Sequence, residues 1–222
     1  MDVTSAVLKR RSTRAFLDRP IEPALLRRIL ETAARAPSNS NIQPWHVHLV
    51  TGGTLDRLKA ATAERAAFPP KFDQLAYHIY PDPLEDPYAR RRFECGERQY
   101  GVRGIAREDH EGRLRYVYGN HQLFGAPAGL FLFCEKHMDL SQWADLGIYL
   151  QTVLLLLTEA GIDSIAQISW CLVHETLKEV LGVGENMMLY CGVSIGYGDP
   201  NDPINAIESD RAALDDTVTF HD

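Results

Sequence analysis

The stretch "LSQWADLGIYLQTVLLLLTEAG" (residues 140–161) decides the fold, because it reads as one long helix that is apolar on nearly all faces from Tyr149 to Leu157. A helix that is apolar all round is buried all round. In a chain of 222 residues, this predicts burial against a second subunit as well as against the chain's own core. The longest apolar run, 153–157, is far too short to span a bilayer.

Helices and strands alternate on both sides of this segment. Apolar periodicity of the helical kind predicts helices at 2–10, 20–37, 54–67, 91–123 and 172–182. Alternating or continuous apolar runs predict strands at 45–52, 126–135, 162–168 and 186–198, with a short one in "DTVTF" (216–220). No linker or repeat is visible, so we predict a single domain, 1–222, of the α/β or α+β layered type.

Residues 68–90 interrupt this alternation with five of the twelve prolines and several aromatics, in "FPPKFDQLAYHIYPDPLEDPY". Long irregular excursions in compact domains are usually functional lids or disordered linkers. The aromatic content favours a lid or a packed arm over disorder.

The bulk composition excludes several classes of function. A formal charge of −7 argues against general binding of nucleic acid and against a polybasic membrane surface. The N-terminus "MDVTSAVLKRR" has no apolar core of a signal peptide. Cys134 and Cys191 lie in apolar runs, which predicts buried free thiols and a reduced, cytoplasmic setting.

The common catalytic signatures are missing from the sequence. No GxxxxGK[ST], GxSxG or HExxH occurs, and the glycines of "CGVSIGYGD" have the wrong spacing for a dinucleotide fingerprint. The cysteines and histidines show no zinc-like spacing. His46 and His48 share one face of a predicted strand, and we interpret them as a solvated surface pair, so no metal site is predicted.

The basic stretch "RRSTR" (10–14) follows the first predicted helix and has two interpretations. Cations at a helix C-terminus complement the macrodipole. Alternatively, Arg10, Ser12 and Arg14 converge on a phosphate, since arginine supplies fork-like donors and serine a hydroxyl.

The polar stretch "APSNSNIQPW" (36–45) also has two interpretations. Serine and asparagine make local backbone bonds in turns, and proline stops helices. Yet five amide or hydroxyl side chains in six positions are more than a turn needs, and they suit a heterocycle edge or sugar hydroxyls. They are Ser38, Asn39, Ser40, Asn41 and Gln43.

Together, Arg-x-Ser-x-Arg, a helix, and Pro-Ser-x-x-Asn-x-Gln-Pro-Trp leading into a strand resemble the nitroreductase family of flavoproteins, in particular its nitrobenzoate reductase branch. The resemblance continues through "NHQLFGAPAGLFLF", the long central helix and "CGVSIGYGDPNDPIN". It implies an α+β fold with a mixed sheet flanked by helices, in an intertwined homodimer with two FMN molecules at the interface. The excursion at about 68–110 would then shape the acceptor pocket.

The resemblance also assigns residues to the cofactor. Arg10 and Ser12 would hold the FMN phosphate, Arg14 would lie near the flavin pyrimidine, and Arg211 would be a second phosphate ligand. Acidic residues precede Arg211 in "NAIESDR", where the family often has a further basic residue. Two possibilities follow: Arg11 compensates, or Arg211 is a surface residue.

Other residues would contact the ribityl chain and the ring. From the partner subunit these are Ser38, Asn39 and Asn41. Asn120 would reach the pyrimidine carbonyl, and a backbone N–H of Gln167 or Ile168 would donate to flavin N5.

The activity implied is reduction of nitroaromatic or quinone acceptors by NADPH or NADH, in a ping-pong reaction on one open flavin face. No side-chain acid or base is required, so we predict no catalytic side chain. Phe68, Phe72, Tyr77 and Tyr80 either pack on a flat aromatic acceptor or only pin the excursion to the body. Alternatives are dehalogenation or flavin cleavage within the family, a non-catalytic FMN-binding protein, and a structural domain without a ligand.

Overall fold

The chain folds around one sheet of four strands, flanked by helices on both faces. The computed structural model describes residues 1–66 and 70–221. The helices are α1 (Val3–Lys9), α2 (Pro23–Ala33), α3 (Gly52–Ala66), α4 (Tyr88–Val102), α5 (His110–Tyr118), α6 (Leu140–Glu159) and α7 (His174–Leu181). The strands are β1 (His46–Thr51), β2 (Ala128–Glu135), β3 (Asp163–Gln167) and β4 (Met187–Gly196). These bounds confirm the predicted α+β class.

Strand β2 explains why the fold has two hydrophobic cores. Its side chains are buried on both faces, which accounts for the continuous apolar run in the sequence. On one face Leu130 and Leu132 pack with α2 and α6, and on the other Phe131 and Phe133 pack with α3 and α7. The result is a three-layer sandwich with the sheet in the middle.

The sheet has the order β1-β2-β4-β3, and all three ladders are antiparallel. The expectation of a mixed sheet is therefore wrong for the ladders of the described chain. The connections from β1 to β2 and from β3 to β4 return the chain to the end of the sheet at which it left. The connection through α6 instead crosses to the other end, so β2 and β3 run in the same direction, but β4 lies between them. Within residues 1–66 and 70–221, parallel pairing occurs only as an isolated bridge between Ser12 and Ser164, at the outer edge of β3.

Two smaller expectations are also corrected. The predicted strand in 216–220 does not form. A 3-10 turn at Leu214–Asp216 overlaps its start, and Val218 and Phe220 are exposed and pair with no described strand. His48 is not on a solvated face. Its ring meets Phe133 edge-on at 5.3 Å, since its side of β1 also carries Val50 into the core.

Helix α6 is only partly covered within one chain. Tyr149, Val153 and Leu157 are buried against the sheet, whereas Ile148 remains 42% exposed. Among the described helices it alone has the length and apolar composition to suit a membrane span. It packs on the sheet and carries the buried Asp145, so we interpret it as the core helix of the fold.

Candidate functional site

The segment that follows α1 is fixed along the outer edge of β3. Thr13 is 1% exposed, and its N–H donates to the carbonyl of Ser164 at 3.2 Å. Phe16 forms a further bridge with Gly198. The Arg-x-Ser-x-Arg segment is thereby held in extended form beside the sheet, with its side chains projecting from a rigid support.

Asn205 fastens this segment to the C-terminal part of the chain. Its Nδ2 donates to the carbonyls of Ala15 at 2.8 Å and Asp199 at 2.9 Å. Its Oδ1 accepts from the N–H of Arg14 at 2.8 Å, and its carbonyl accepts from Arg11 at 3.3 Å. Sequence reasoning missed Asn205, since Arg11, Arg14 and Ala15 lie about 190 residues away and leave no local pattern.

The cations of this region carry no ion pairs. In the described part of the chain, no carboxylate lies within ion-pair distance of Arg10, Arg11, Arg14 or Arg211. Partial burial and then the nearby charge of Arg211 lower the pKa of Arg10. The charge of Arg211, from the other end of the chain, therefore acts on Arg10, and a bound anion would relieve this repulsion.

Helix α4 binds the acidic stretch before Arg211. Arg98 of α4 donates to the carboxylate of Asp210 and to the carbonyl of Glu208. The hydrogen bond from Arg98, and then its charge, lower the pKa of Asp210. The Asp210 carboxylate is thus paired with α4, while the Arg211 guanidinium donates to the carbonyls of Ser209 and Asp210.

The end of β3 leads into a second feature, a cavity of 720 Å³ that Ile168 and Ser169 help to line. Gln167 is 2% exposed and its amide is held inside by Asn120 and Ser194. The Asn120 amide donates to Val117 at 2.8 Å and accepts from Gln167 at 3.2 Å, so both its ends have partners. Ile168 opens a 3-10 turn, where the first N–H groups have no partner within the turn.

The loop that contains Ser38, Asn39 and Asn41 is strained and lies away from the cations. Ser40, Asn41 and Gln43 have φ values of 49°, 58° and 52°, which are unfavourable for residues other than glycine. The Asn39 N–H donates at 2.9 Å to Asp145, a buried residue of α6 that the sequence did not single out.

The length of α6 separates this loop from the cation cluster. Met1 forms an ion pair with Glu159, at the far end of the helix from Asp145. Along an α-helix those two positions are about 21 Å apart. Ser164, which holds Thr13, lies a few residues beyond that end. Within one chain the structure therefore does not bring Ser38, Asn39 and Asn41 to the arginines.

The excursion is fastened at its start and open further on. The Tyr77 hydroxyl contacts Cys171 and donates to the Tyr190 carbonyl at 2.8 Å, so Tyr77 pins the excursion to the body. Phe72 stacks on Tyr118 with ring centroids 5.7 Å apart. Tyr80 lines the 720 Å³ cavity, with the guanidinium of Arg92 over its ring. Phe68 lies outside the described residues.

A smaller cavity of 570 Å³ adjoins the cation cluster. It lies between α4 and the C-terminal segment, and Arg14, Arg98 and Arg211 are among its lining residues. Both cavities border α4, through Arg90 and Arg98 in this one and through Ala89 and Arg92 in the 720 Å³ cavity. Arg14, predicted for the pyrimidine, and Ile168, predicted for N5, thus line two cavities that share this helix.

The fold and the site place the protein among α+β domains with an antiparallel sheet. At one edge of this sheet lies a cluster of arginines that form no ion pair within the described residues. Within that class the chain belongs to the nitroreductase family, since the model described as "Nitroreductase family" matches residues 7–197.

Named relatives support this membership. The chain is 35% identical to a 4-nitrobenzoate reductase of Pseudomonas putida, over 95% of this chain and 91% of that protein. Its structure matches the FMN- and NADPH-dependent nitroreductase NfnB of Sphigopyxis sp. strain HMH, with a TM-score of 0.96, 42% identity and full coverage of both chains. It also matches the FMN-dependent NfnB of Mycobacterium smegmatis in complex with NADPH, with a TM-score of 0.93, 32% identity and full coverage of both chains.

Proposed function

We propose that this protein is an FMN-dependent nitroreductase that oxidises NADPH or NADH and reduces flat nitroaromatic or quinone acceptors. FMN supplies the hydride chemistry when it is bound, and the protein supplies position and electrostatic field. In support, one relative is named as a 4-nitrobenzoate reductase and another as an FMN- and NADPH-dependent nitroreductase.

The observation that carries the proposal is that Arg10 and Arg211, whose charges repel each other, have no compensating anion among the described residues. Both lack a carboxylate partner in the described residues, and burial makes the charge of Arg10 unfavourable without an anion. Arginine is suited to phosphate because its planar fork of donors matches the oxygens. With the Ser12 hydroxyl two positions away, this donor set fits the phosphate of FMN.

The remaining residues act on the ring. The Arg14 guanidinium would stabilise negative charge at the pyrimidine edge, by the logic of an oxyanion site. The backbone of Ile168, at the wall of the 720 Å³ cavity, would provide the donor to N5. The same cavity would receive the reductant and the acceptor in turn, which predicts ping-pong kinetics.

We further propose that the protein works as a homodimer, and that the 38–41 loop of each subunit completes the partner's site. The loop is held at Asp145, about 21 Å along α6 from Glu159, which marks the end of the helix near its own arginines. An exposed apolar surface on α1, formed by Val3, Val7 and Leu8, and the open side of α6 at Ile148 provide surface for such an association.

The cytoplasm is the location that we propose. Burial raises the pKa of the Cys134 thiol to about 11, and Cys171 and Cys191 are buried free thiols as well. Such thiols are unreactive and fit a reducing compartment, which also holds the nicotinamide reductants.

The first test is the visible spectrum of the purified protein under anaerobic conditions. A flavin band that bleaches with NADPH and recovers with a nitroaromatic would support both half-reactions. A bound flavin that neither NADPH nor NADH bleaches would refute the reductase proposal and favour a non-catalytic FMN-binding protein. Absence of binding after addition of FMN would refute the cofactor.

The dimer proposal has a separate test by subunit mixing. One variant carries Arg10→Ala, and the other carries Asn39→Ala with Asn41→Ala. If sites are shared, random mixing restores about a quarter of the wild-type sites, because each mixed dimer regains one intact site. If each chain builds its own site, mixing restores none.

A further inference from the structure

The residues on either side of Ile168 are held by one short segment, the 3-10 stretch Gly119–Gly125 between α5 and β2. On one side, the Gln167 Nε2 donates to the Asn120 carbonyl at 3.0 Å and to its Oδ1 at 3.2 Å. On the other side, the His121 Nε2 lies 2.9 Å from the carbonyl of Ser169. A carbonyl can only accept, so the Nε2 of His121 carries the proton.

The side chains that make these contacts are buried. His121 is 1% exposed, and its ring meets Trp170 edge-on at 5.4 Å. The Gln167 Oε1 accepts from Ser194, which is fully buried, at 2.7 Å. Hydrogen bonds in a buried polar network fix the geometry of their members more firmly than exposed hydrogen bonds do, although the His121 Nδ1 and the Ser169 Oγ have no partner in the described residues.

The supporting segment is itself strained. Leu123 and Phe124 have φ values of 53° and 51°, and Leu123 is wholly buried. Such backbone persists only where its surroundings over-determine it, and it concentrates at functional sites. Here the surroundings include Thr62 of α3, whose hydroxyl donates to the His121 carbonyl at 3.0 Å.

The geometry points to Asn120 and His121 as positioning residues that set the backbone of Ile168 at the wall of the 720 Å³ cavity. Asn120 then acts through Gln167, and His121 acts through Ser169. This inference rests on the proposed function, because it assumes that the Ile168 N–H donates to N5 of FMN. It gives a role to two side chains that touch neither acceptor nor reductant.

The test uses the holoprotein reconstituted with FMN labelled with ¹⁵N at N5, and measures the ¹⁵N resonance and the two-electron reduction potential. Gln167→Met keeps the volume of the side chain but removes its hydrogen bonds. His121→Phe keeps a planar ring against Trp170 but removes the bond to Ser169. The matched control is His174→Phe, because His174 is also buried and bonds a backbone carbonyl, that of Gln74, at 3.0 Å.

We expect the N5 resonance to move in both test variants and to stay at its wild-type position in the control. A donor to N5 favours the oxidised cofactor, so its misplacement should make the potential more positive. A tenfold change in the relative binding of the two forms corresponds to about 30 mV for a two-electron couple. Ser194→Ala, which removes one bond to Gln167, provides a milder variant if Gln167→Met does not fold.

Three outcomes would overturn the inference in distinguishable ways. If wild-type protein binds no FMN, the proposed function fails, and this inference fails with it. If all variants bind FMN with the wild-type N5 resonance and potential, the positioning role alone is wrong. If His174→Phe shifts the resonance as far as His121→Phe does, the effect is a general loosening of the core.

Discussion

Replacement of Arg10 by alanine should weaken FMN binding while leaving the fold intact. Arg10 follows α1, is partly buried, and forms no ion pair with any described residue, so the apoprotein loses no attractive contact of its guanidinium. The change also removes the repulsion from Arg211 that lowers the Arg10 pKa. The free energy of unfolding of the apoprotein should therefore stay constant or rise slightly.

The effect on binding follows from the strength of one charge-assisted hydrogen bond. Such a bond contributes about 1.5–3 kcal/mol, and its loss should raise the Kd for FMN roughly 10-fold to 150-fold. The assay is a titration of apoprotein with FMN followed by flavin fluorescence, at two salt concentrations. Weakening should be larger at low salt, because the bond is ionic.

Lys9→Ala is the matched control for this prediction. It removes the same charge one residue earlier, from the exposed last turn of α1. If Arg10→Ala and Lys9→Ala bind FMN within about twofold of each other, the cation cluster exerts only a general field and the phosphate assignment is wrong.

Three further predictions concern the framework of the site. Gly192→Ala should lower the free energy of unfolding, measured in urea, by about 1–3 kcal/mol, because the added Cβ would lie 2.4 Å from Trp170. The control Gly147→Ala should not be destabilising, because its Cβ would lie 3.5 Å from the Tyr190 hydroxyl. Asp145→Ala removes the acceptor of the Asn39 N–H, and it should lower the free energy of unfolding by about 1–3 kcal/mol and raise the Kd for FMN. An unchanged FMN affinity would show that the 38–41 loop is not part of the FMN site. Burial lowers the pKa of His121, so the free energy of unfolding should decrease as pH falls below about 6.5, by at most ~1.4 kcal/mol per pH unit. His121→Phe should reduce this dependence of stability on pH.

Features with a local signal could be predicted from the sequence. The helical periodicity and apolar character of 140–161 identified the core helix, and the spacing of Arg10, Ser12 and Arg14 indicated an anion site. These signals work because helix formation and clustered charge depend on neighbours in sequence.

Contacts between distant segments could not be predicted in this way. Asn39 meets Asp145 across 106 positions, and Arg98 reaches Asp210 across 112. A single asparagine, aspartate or arginine has many solvated alternatives, so its type does not reveal its partner. The direction of the strands was missed for the same reason, since it depends on how each connection returns to the sheet.

The excursion has an anchored beginning and an open middle. Asp73 accepts from the Glu175 N–H at 2.9 Å, and Tyr77 is held by Tyr190, whereas no hydrogen bond in the described residues joins 78–84 to the sheet or helices. Yet it is this middle part that lines the 720 Å³ cavity. Substitutions there can accumulate at little expense to folding, while the cation cluster is fixed to the sheet edge. A few substitutions in this loop could therefore change which aromatic acceptor the cavity binds during evolution, while the residues at the redox centre stay the same.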